Sequence, residues 1–508
     1  MAGWADGLSA RNLAELAASH GGDAGRPFLE CDDGRVFTFA EFWALAGRLA
    51  SGLKLAGARP ADRIAVQVEK SPEAIALFWA CVRGGFVFLP LNTAYTAAEV
   101  SYFVEDAEPA VLVVSPQRAP GLQALADRHK AALLTLDDAG GGTLVDGATG
   151  MIADHGSSWD DLAAILYTSG TTGRSKGAML SNGNLASNAL ALVEAWAFTK
   201  ADVLIHALPV YHTHGLFVAT NTLLLSGGRI LFRRAFDADA VMRLMSQATC
   251  LMGVPTFYTR LLQHDGLSCE ATRHMRLFIS GSAPLLAETH REFAARTGHA
   301  ILERYGMTET SMNTSNPYAG ERRAGTVGLP LPHIHVRVAD PQTHAPLAAE
   351  TDGMIEVKGP NVFKGYWRNP QKTAEDFTSD GWFITGDMGR VSGDGYVTIS
   401  GRAKDLVITG GFNVYPKEIE LAIDALPGVL ESAVFGVPHP DFGEAVTAAV
   451  VARPGAALDE TAMIAELRRQ LAAFKCPKRI LVIDELPRNT MGKVQKAALR
   501  DRWKGLFG

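Results

Sequence analysis

The sequence predicts an α/β protein with a large N-terminal domain of parallel-sheet layers and a small α+β C-terminal domain. Three observations carry that expectation. Strand-like apolar runs alternate with helical patterns through the first part of the chain. A strand, helix, strand unit stands out at 278–306. Pro, Gly and charge density then rise between 358 and 405, before a second set of apolar runs. At 508 residues the chain also exceeds what one hydrophobic core usually serves.

Taken in order, 63–68, 85–89 and 110–114 read as strands, with a helical pattern from Pro72. In 278–306 an apolar run ends at Gly281, Pro284 opens a helix of about four turns, and Gly298 closes it before a strand at 300–302. In parallel sheets such crossovers deliver loops to the carboxyl ends of strands, where ligands bind, so the loops after Ile279 and Leu302 belong near a site. Further on, the helix 416–426 carries Ile419, Ala422, Ile423 and Leu426 on one face. Strands are expected at 431–437, 446–451 and 480–483, around a helix at 462–471.

Composition removes several classes of function. With 47% hydrophobic and 20% charged residues the chain is of ordinary globular type. Its 48 Lys and Arg against 54 Asp and Glu, net −6, offer no basic field for nucleic acid. The five cysteines, Cys31, Cys81, Cys250, Cys269 and Cys476, are scattered without a CxxC pair, which fits a reducing compartment. No apolar run approaches the roughly 18 residues of a membrane span. The N-terminus lacks a basic region followed by an apolar stretch, so a cytoplasmic protein is expected.

Residues 167–177 read YTSGTTGRSKG, directly after the strand-like 162–166. Glycines let backbone approach a polyphosphate, hydroxyls and amides donate to its oxygens, and Lys176 supplies charge. The spacing is not that of a P-loop. It resembles the phosphate loop of the ANL superfamily of adenylating enzymes. The resemblance continues in order through SGSAPL at 280–285, ERYGMTE at 303–309, TGD at 385–387, GRAKD at 401–405, GGFNVYPKEIE at 410–420 and PRNTMGK at 487–493.

That resemblance implies an adenylate-forming fold with an N-terminal domain at 1–402, a mobile C-terminal domain at 403–508 and a hinge at Lys404. It implies an ATP-dependent, AMP-forming ligase that activates a carboxylic acid and passes the acyl group to coenzyme A. Thr168, Ser169, Gly170, Thr171, Thr172, Gly173 and Lys176 would cradle the ATP phosphates. Thr308 and Glu309 would hold Mg2+ and phosphate, Asp387 and Arg402 would meet the ribose, and Ser282, Ala283 and Tyr305 would bracket adenine. Glu303, Gly306 and Met307 belong to the same nucleotide-binding motif. Lys493 matches the catalytic lysine of adenylation, and Gly410 and Gly411 leave room for pantetheine in thioester formation. Acetylation of Lys493 by a lysine-modifying partner would remove that charge.

His206, His212 and His214 cluster in sequence. They read either as a metal site, without recognised companion ligands, or with His212 as a gate beside the reacting carboxylate, which is preferred. Arg304 is the most informative departure, since many relatives carry a neutral residue there. A buried cation is costly unless an anion meets it, and a dicarboxylic acid would supply one through a bidentate pair. The alternative is a structural carboxylate such as Glu303. ERYGMTE, YHTHGLF and SGSAPL together resemble malonyl-CoA synthetases, which points to malonate, with methylmalonate as neighbour. Thr213 and Met307 would bound the C2 substituent, and His212 and Ser282 would help hold the acid. Three competing readings remain: a synthetase for a monocarboxylic acid, a free-standing enzyme loading a carrier protein, and a non-catalytic nucleotide-binding relative. Arg304 weighs against the first, the chain's end at Gly508 without a carrier domain against the second, and the intact motifs against the third.

Overall fold

The structure is a computed structural model. It describes residues 4–20, 23–148, 150, 152, 154–168, 175–409, 412–489 and 492–507, with side chains left out at 412 and 413. The chain divides into two compact units, Met1–His335 with Val357–Phe383, and Val336–Glu356 with Ile384–Gly508.

The first unit contains two sheets. Six strands run in the order Ala132–Thr135, Val111–Val114, Arg63–Gln67, Val87–Pro90, Leu162–Thr168 and Lys176–Ser181. All pair in parallel except the last two. The helix Pro72–Gly84 starts on a Ser71 cap with Pro at its first turn and ends where Gly85 turns left-handed, so the chain re-enters the sheet two residues later. It is buried along its whole length.

The larger sheet has nine strands. Leu302–Met307, Leu277–Ser280, Cys250–Gly253, Val203–His206, Arg229–Phe232 and Pro27–Cys31 are neighbours and mutually parallel. Antiparallel strands close both edges. Ile205, Leu251 and Phe278 pack with Tyr258 and Phe293 in one core cluster, which seats the helix Ala287–Thr297 on the sheet.

Two expectations need correction here. The helix begins at Ala287, not Pro284, and is 11 residues long. Ser282 is held at φ +70, and the Leu285 amide donates to Glu303 Oε1 at 3.2 Å, so the chain is committed to a loop before the helix can nucleate. The segment after Leu302 is strand rather than loop. Leu302–Met307 pairs in parallel with its neighbour only at Leu302 and Glu303, then runs antiparallel to Ser311–Ser315, with Arg304 opposite Ser315. A periodicity reading cannot see a partner that arrives later in the chain.

The second unit is built on a four-stranded sheet ending in Phe383–Val391 and Val397–Arg402, and a five-stranded one led by the long pair Val429–His439 and Gly443–Ala452. Ile419, Ile423 and Leu426 of the expected helical face are buried against Val434, Val446 and Leu467. That helix runs Pro416–Asp424.

Candidate active site

In the first unit the phosphate-loop motif joins two antiparallel strands whose terminal pair is Thr168 opposite Lys176. The hairpin thus brings the motif's two ends together across the sheet. Ser169, Gly170, Thr171, Thr172 and Gly173 lie outside the described residues, as do Gly410 and Gly411. The Lys176 ammonium lies 5.3 Å from the centroid of the Tyr366 ring. The Tyr366 hydroxyl donates to Glu309 Oε1 at 3.2 Å. Burial, then the Glu309 charge, raise the Tyr366 pKa, so the phenol stays a donor. The Glu309 backbone is tied down as well, its carbonyl accepting from Phe363 N at 2.8 Å. One tyrosine therefore links the lysine at the loop's exit to a buried carboxylate, with the half-buried Thr308 beside it. A carboxylate and a hydroxyl are hard oxygen donors of the type Mg2+ prefers.

Arg304 stands on the strand Leu302–Met307 and is only 4% exposed. Among the described residues it has no carboxylate partner, and its Nε and Nη2 make no hydrogen bond. Burial pushes its pKa down to about 9, slightly offset by Tyr258, so the group is still cationic at neutral pH. Glu303, weighed as a structural partner, instead accepts from the Leu285 amide. The guanidinium lies against Gly281, the last residue before the Ser282 turn.

Other buried polar atoms without partners among the described residues are Ser280 Oγ, Thr213 Oγ1 and His214 Nε2. Ser282 Oγ and His214 Nδ1 are 3.2 Å apart. Burial and the neighbouring Arg304 hold the His214 pKa well below its usual value, so this imidazole is neutral. Ser282, His214 and Arg304 are thus one cluster with unmet hydrogen-bonding capacity. The sequence offered His214 only as part of a possible metal cluster; the fold places it beside Ser282 and Arg304 instead.

His206 and His214 have separate surroundings. His206 is fully buried; its Nε2 donates to the Gly215 carbonyl at 2.8 Å, and its Nδ1 accepts from Lys70 Nζ at 3.1 Å. Burial and Lys70 lower its pKa to about 3, so it is a neutral donor of fixed tautomer. Lys70 also donates to the His206 and Arg233 carbonyls at 3.0 and 2.6 Å. Gly215 follows His214 directly, and Thr220 Oγ1 donates to the same carbonyl at 2.9 Å. The first turn of the π-helix His214–Ala219, which follows His212 and Thr213, is therefore pinned from the sheet strand Val203–His206. Lys70, Pro209, Tyr211, Phe236 and Phe257 line an adjoining cavity of about 320 Å³.

In the second unit Asp387 is 3% exposed and pairs across the sheet with Arg402, whose Nε is 2.9 Å from its Oδ1. The two residues expected at the ribose are thus already neighbours. Ala283, Tyr305, Gly306 and Met307 are half-buried in the first unit. Lys404 is exposed, its pKa lowered by partial desolvation and by Arg402. Lys493 is exposed at the end of a tight turn, its amide donating to Asn489 Oδ1 at 3.0 Å.

The AMP-binding enzyme profile matches residues 16–367, and the AMP-binding enzyme C-terminal domain profile matches 418–493. The chain belongs to the ANL superfamily of AMP-binding enzymes. It is 57% identical to the ATP-bound crystal structure of MatB from Rhodopseudomonas palustris, with a TM-score of 0.96, covering 98% of this chain and 99% of that one. A feruloyl-CoA synthase of an Amycolatopsis species is 36% identical over 92% of this chain and 94% of its own length. A malonate–CoA ligase of Arabidopsis thaliana is 35% identical over 87% of this chain and 78% of its own. Among the described residues no helix is long and apolar enough to cross a membrane.

Proposed function

We propose that this ligase converts malonate, ATP and CoA to malonyl-CoA, AMP and diphosphate through a malonyl-adenylate, and that it also accepts methylmalonate. The observation that carries the choice of acid is the buried Arg304 guanidinium, which has no carboxylate partner among the described residues. A buried cation without a counterion is destabilising, and the second carboxylate of a dicarboxylic acid relieves that by a charge-assisted pair. An aryl acid such as a feruloyl precursor leaves the guanidinium unmet. The 57% identity to MatB and the malonate–CoA ligase relative support the same choice.

In this reading a substrate carboxylate oxygen attacks the α-phosphorus of ATP and diphosphate leaves. Residues 168–176 hold the phosphates, Asp387 and Arg402 the ribose, and Lys493 neutralises charge that develops on the α-phosphate oxygens. Thr308 and Glu309 would hold Mg2+, whose charge would offset that of the phosphates. The CoA thiolate then attacks the adenylate carbonyl and AMP leaves. Movement about Lys404, with 403–508 as the mobile part, replaces Lys493 by the Gly410 and Gly411 segment between the two steps. Acetylation of Lys493 would block the first step alone. A cytoplasmic location fits the scattered free cysteines.

The test is AMP release with ATP and Mg2+, with and without CoA, across malonate, methylmalonate, succinate, acetate, octanoate and benzoate. CoA-dependent turnover highest with malonate, and a loss of that preference in Arg304→Ala, is the expected result. A monocarboxylate as best substrate, or an Arg304→Ala enzyme that still prefers malonate to acetate, overturns the substrate assignment. Turnover without CoA on a carrier protein would instead support the loading reading.

A further inference from the structure

Glu420 closes the motif GGFNVYPKEIE, yet none of the roles above uses it. It is 6% exposed on the helix Pro416–Asp424. Its Oε1 accepts from the Val434 amide at 2.9 Å and lies 2.6 Å from Lys496 Nζ. Glu431, on the adjoining strand Val429–His439, makes an ion pair with Arg488. Burial raises the Glu431 pKa, and Arg488 opposes that rise. Two carboxylates on one helix–strand pair therefore grip the chain on both sides of Lys493.

The described residues of the segment between the grips pair with one another. Arg488 pairs with Val494, and Gln495 N donates to the Pro487 carbonyl at 2.8 Å. Asn489 N donates to the Lys493 carbonyl at 2.9 Å, while the Asn489 side chain accepts from Lys493 N. Arg488 also donates through Nη1 to the Gly492 carbonyl at 2.6 Å, so one guanidinium joins Glu431 to the residue immediately before Lys493. Leu486 and Leu499, outside the two grips, are buried with Phe435 and Val437 of the same strand. The apolar contacts fix the ends of the segment, and the ion pairs fix its middle.

We infer that Arg488 with Glu431, and Lys496 with Glu420, are positioning residues that set where the Lys493 ammonium is presented. The inference rests on the role given to Lys493 above. An exposed lysine on a long stem carries its own rotamer freedom. A backbone held at both flanks removes the rest of the positional spread, which matters because a misplacement of about 1 Å can cost on the order of a hundredfold in rate.

The test separates the half-reactions in full-length protein. Malonate-dependent diphosphate release without CoA reports adenylation; thioester formation from supplied malonyl-adenylate and CoA reports the second step. Arg488→Met and Lys496→Met are expected to lower adenylation by tenfold or more, on the order of the positional penalty above, and to leave thioester formation intact. The charge exchange Glu431→Arg with Arg488→Glu is expected to restore part of the adenylation lost in Arg488→Met, which a folding defect would not allow. Equal loss in both half-reactions, or no loss in either, overturns the inference. Lys493→Ala is run alongside. If it alone loses adenylation, the positioning role fails and the catalytic role stands. If it keeps adenylation, both fall.

Discussion

The backbone of Gly281 lies so close to the Arg304 guanidinium that a Cβ there would sit 2.5 Å from Nε and Nη1. Gly281 is not in a left-handed conformation, so the backbone would accept alanine and only the contact forbids it. Gly281→Ala should therefore displace Arg304 while the fold persists. The expected result is a rise of about tenfold in the malonate KM, the equivalent of one lost hydrogen bond to a charged group, with the ATP KM unchanged. An unaltered malonate KM would show that Arg304 does not need this bed.

Arg304 itself should display a trade between stability and specificity. Its charge is buried without a counterion among the described residues, so the free enzyme carries a penalty that malonate removes. Arg304→Met is expected to stabilise the free enzyme by about 1 to 3 kcal/mol. It should also abolish the stabilisation that malonate gives the unsubstituted enzyme in a thermal melt. A destabilised Arg304→Met protein would mean the guanidinium is structurally satisfied.

The chain Lys70, His206, Gly215 acts on the same cluster from behind. Lys70→Met leaves His206 Nδ1 and two carbonyls without their donor, loosening the start of the π-helix His214–Ala219 that follows His212 and Thr213. The malonate KM should rise by about tenfold, as expected when buried acceptors lose their donor. Lys70→Gln, which retains a donor, should recover part of it. Equal changes in the malonate and ATP KM values would point to general unfolding instead.

The family was legible in the sequence because it is carried by short contiguous motifs, from 167–177 through 303–309 to 487–493. Arg304 stood out within ERYGMTE, and the fold buries it without a carboxylate partner among the described residues, where an unpaired cation is costly. What stayed hidden depends on distant partners. The helix start at Ala287 is set by Glu303 taking the Leu285 amide, and the 302–307 strand by pairing that begins after a turn. Lys70 and His206 are 136 residues apart, a separation at which no local pattern marks a contact.

The second unit contains a carboxyl group whose stability effect has a definite sign. Burial raises the Asp424 pKa from 3.8 to about 6, while Ser432 Oγ donates to its Oδ1 at 2.7 Å. The folded state then binds more protons than the unfolded state between these two values. Its contribution is most favourable below pH 4 and is lost as pH rises through about 6, after which the penalty is constant. An asparagine keeps an oxygen to accept from Ser432 and carries no charge to desolvate. Asp424→Asn should therefore raise unfolding free energy at pH 7 to 8 by up to about 3 kcal/mol, with little effect near pH 4. Denaturant unfolding of both proteins across this range checks it. A gain of equal size at both ends would show that packing, not ionisation, is what the substitution changed.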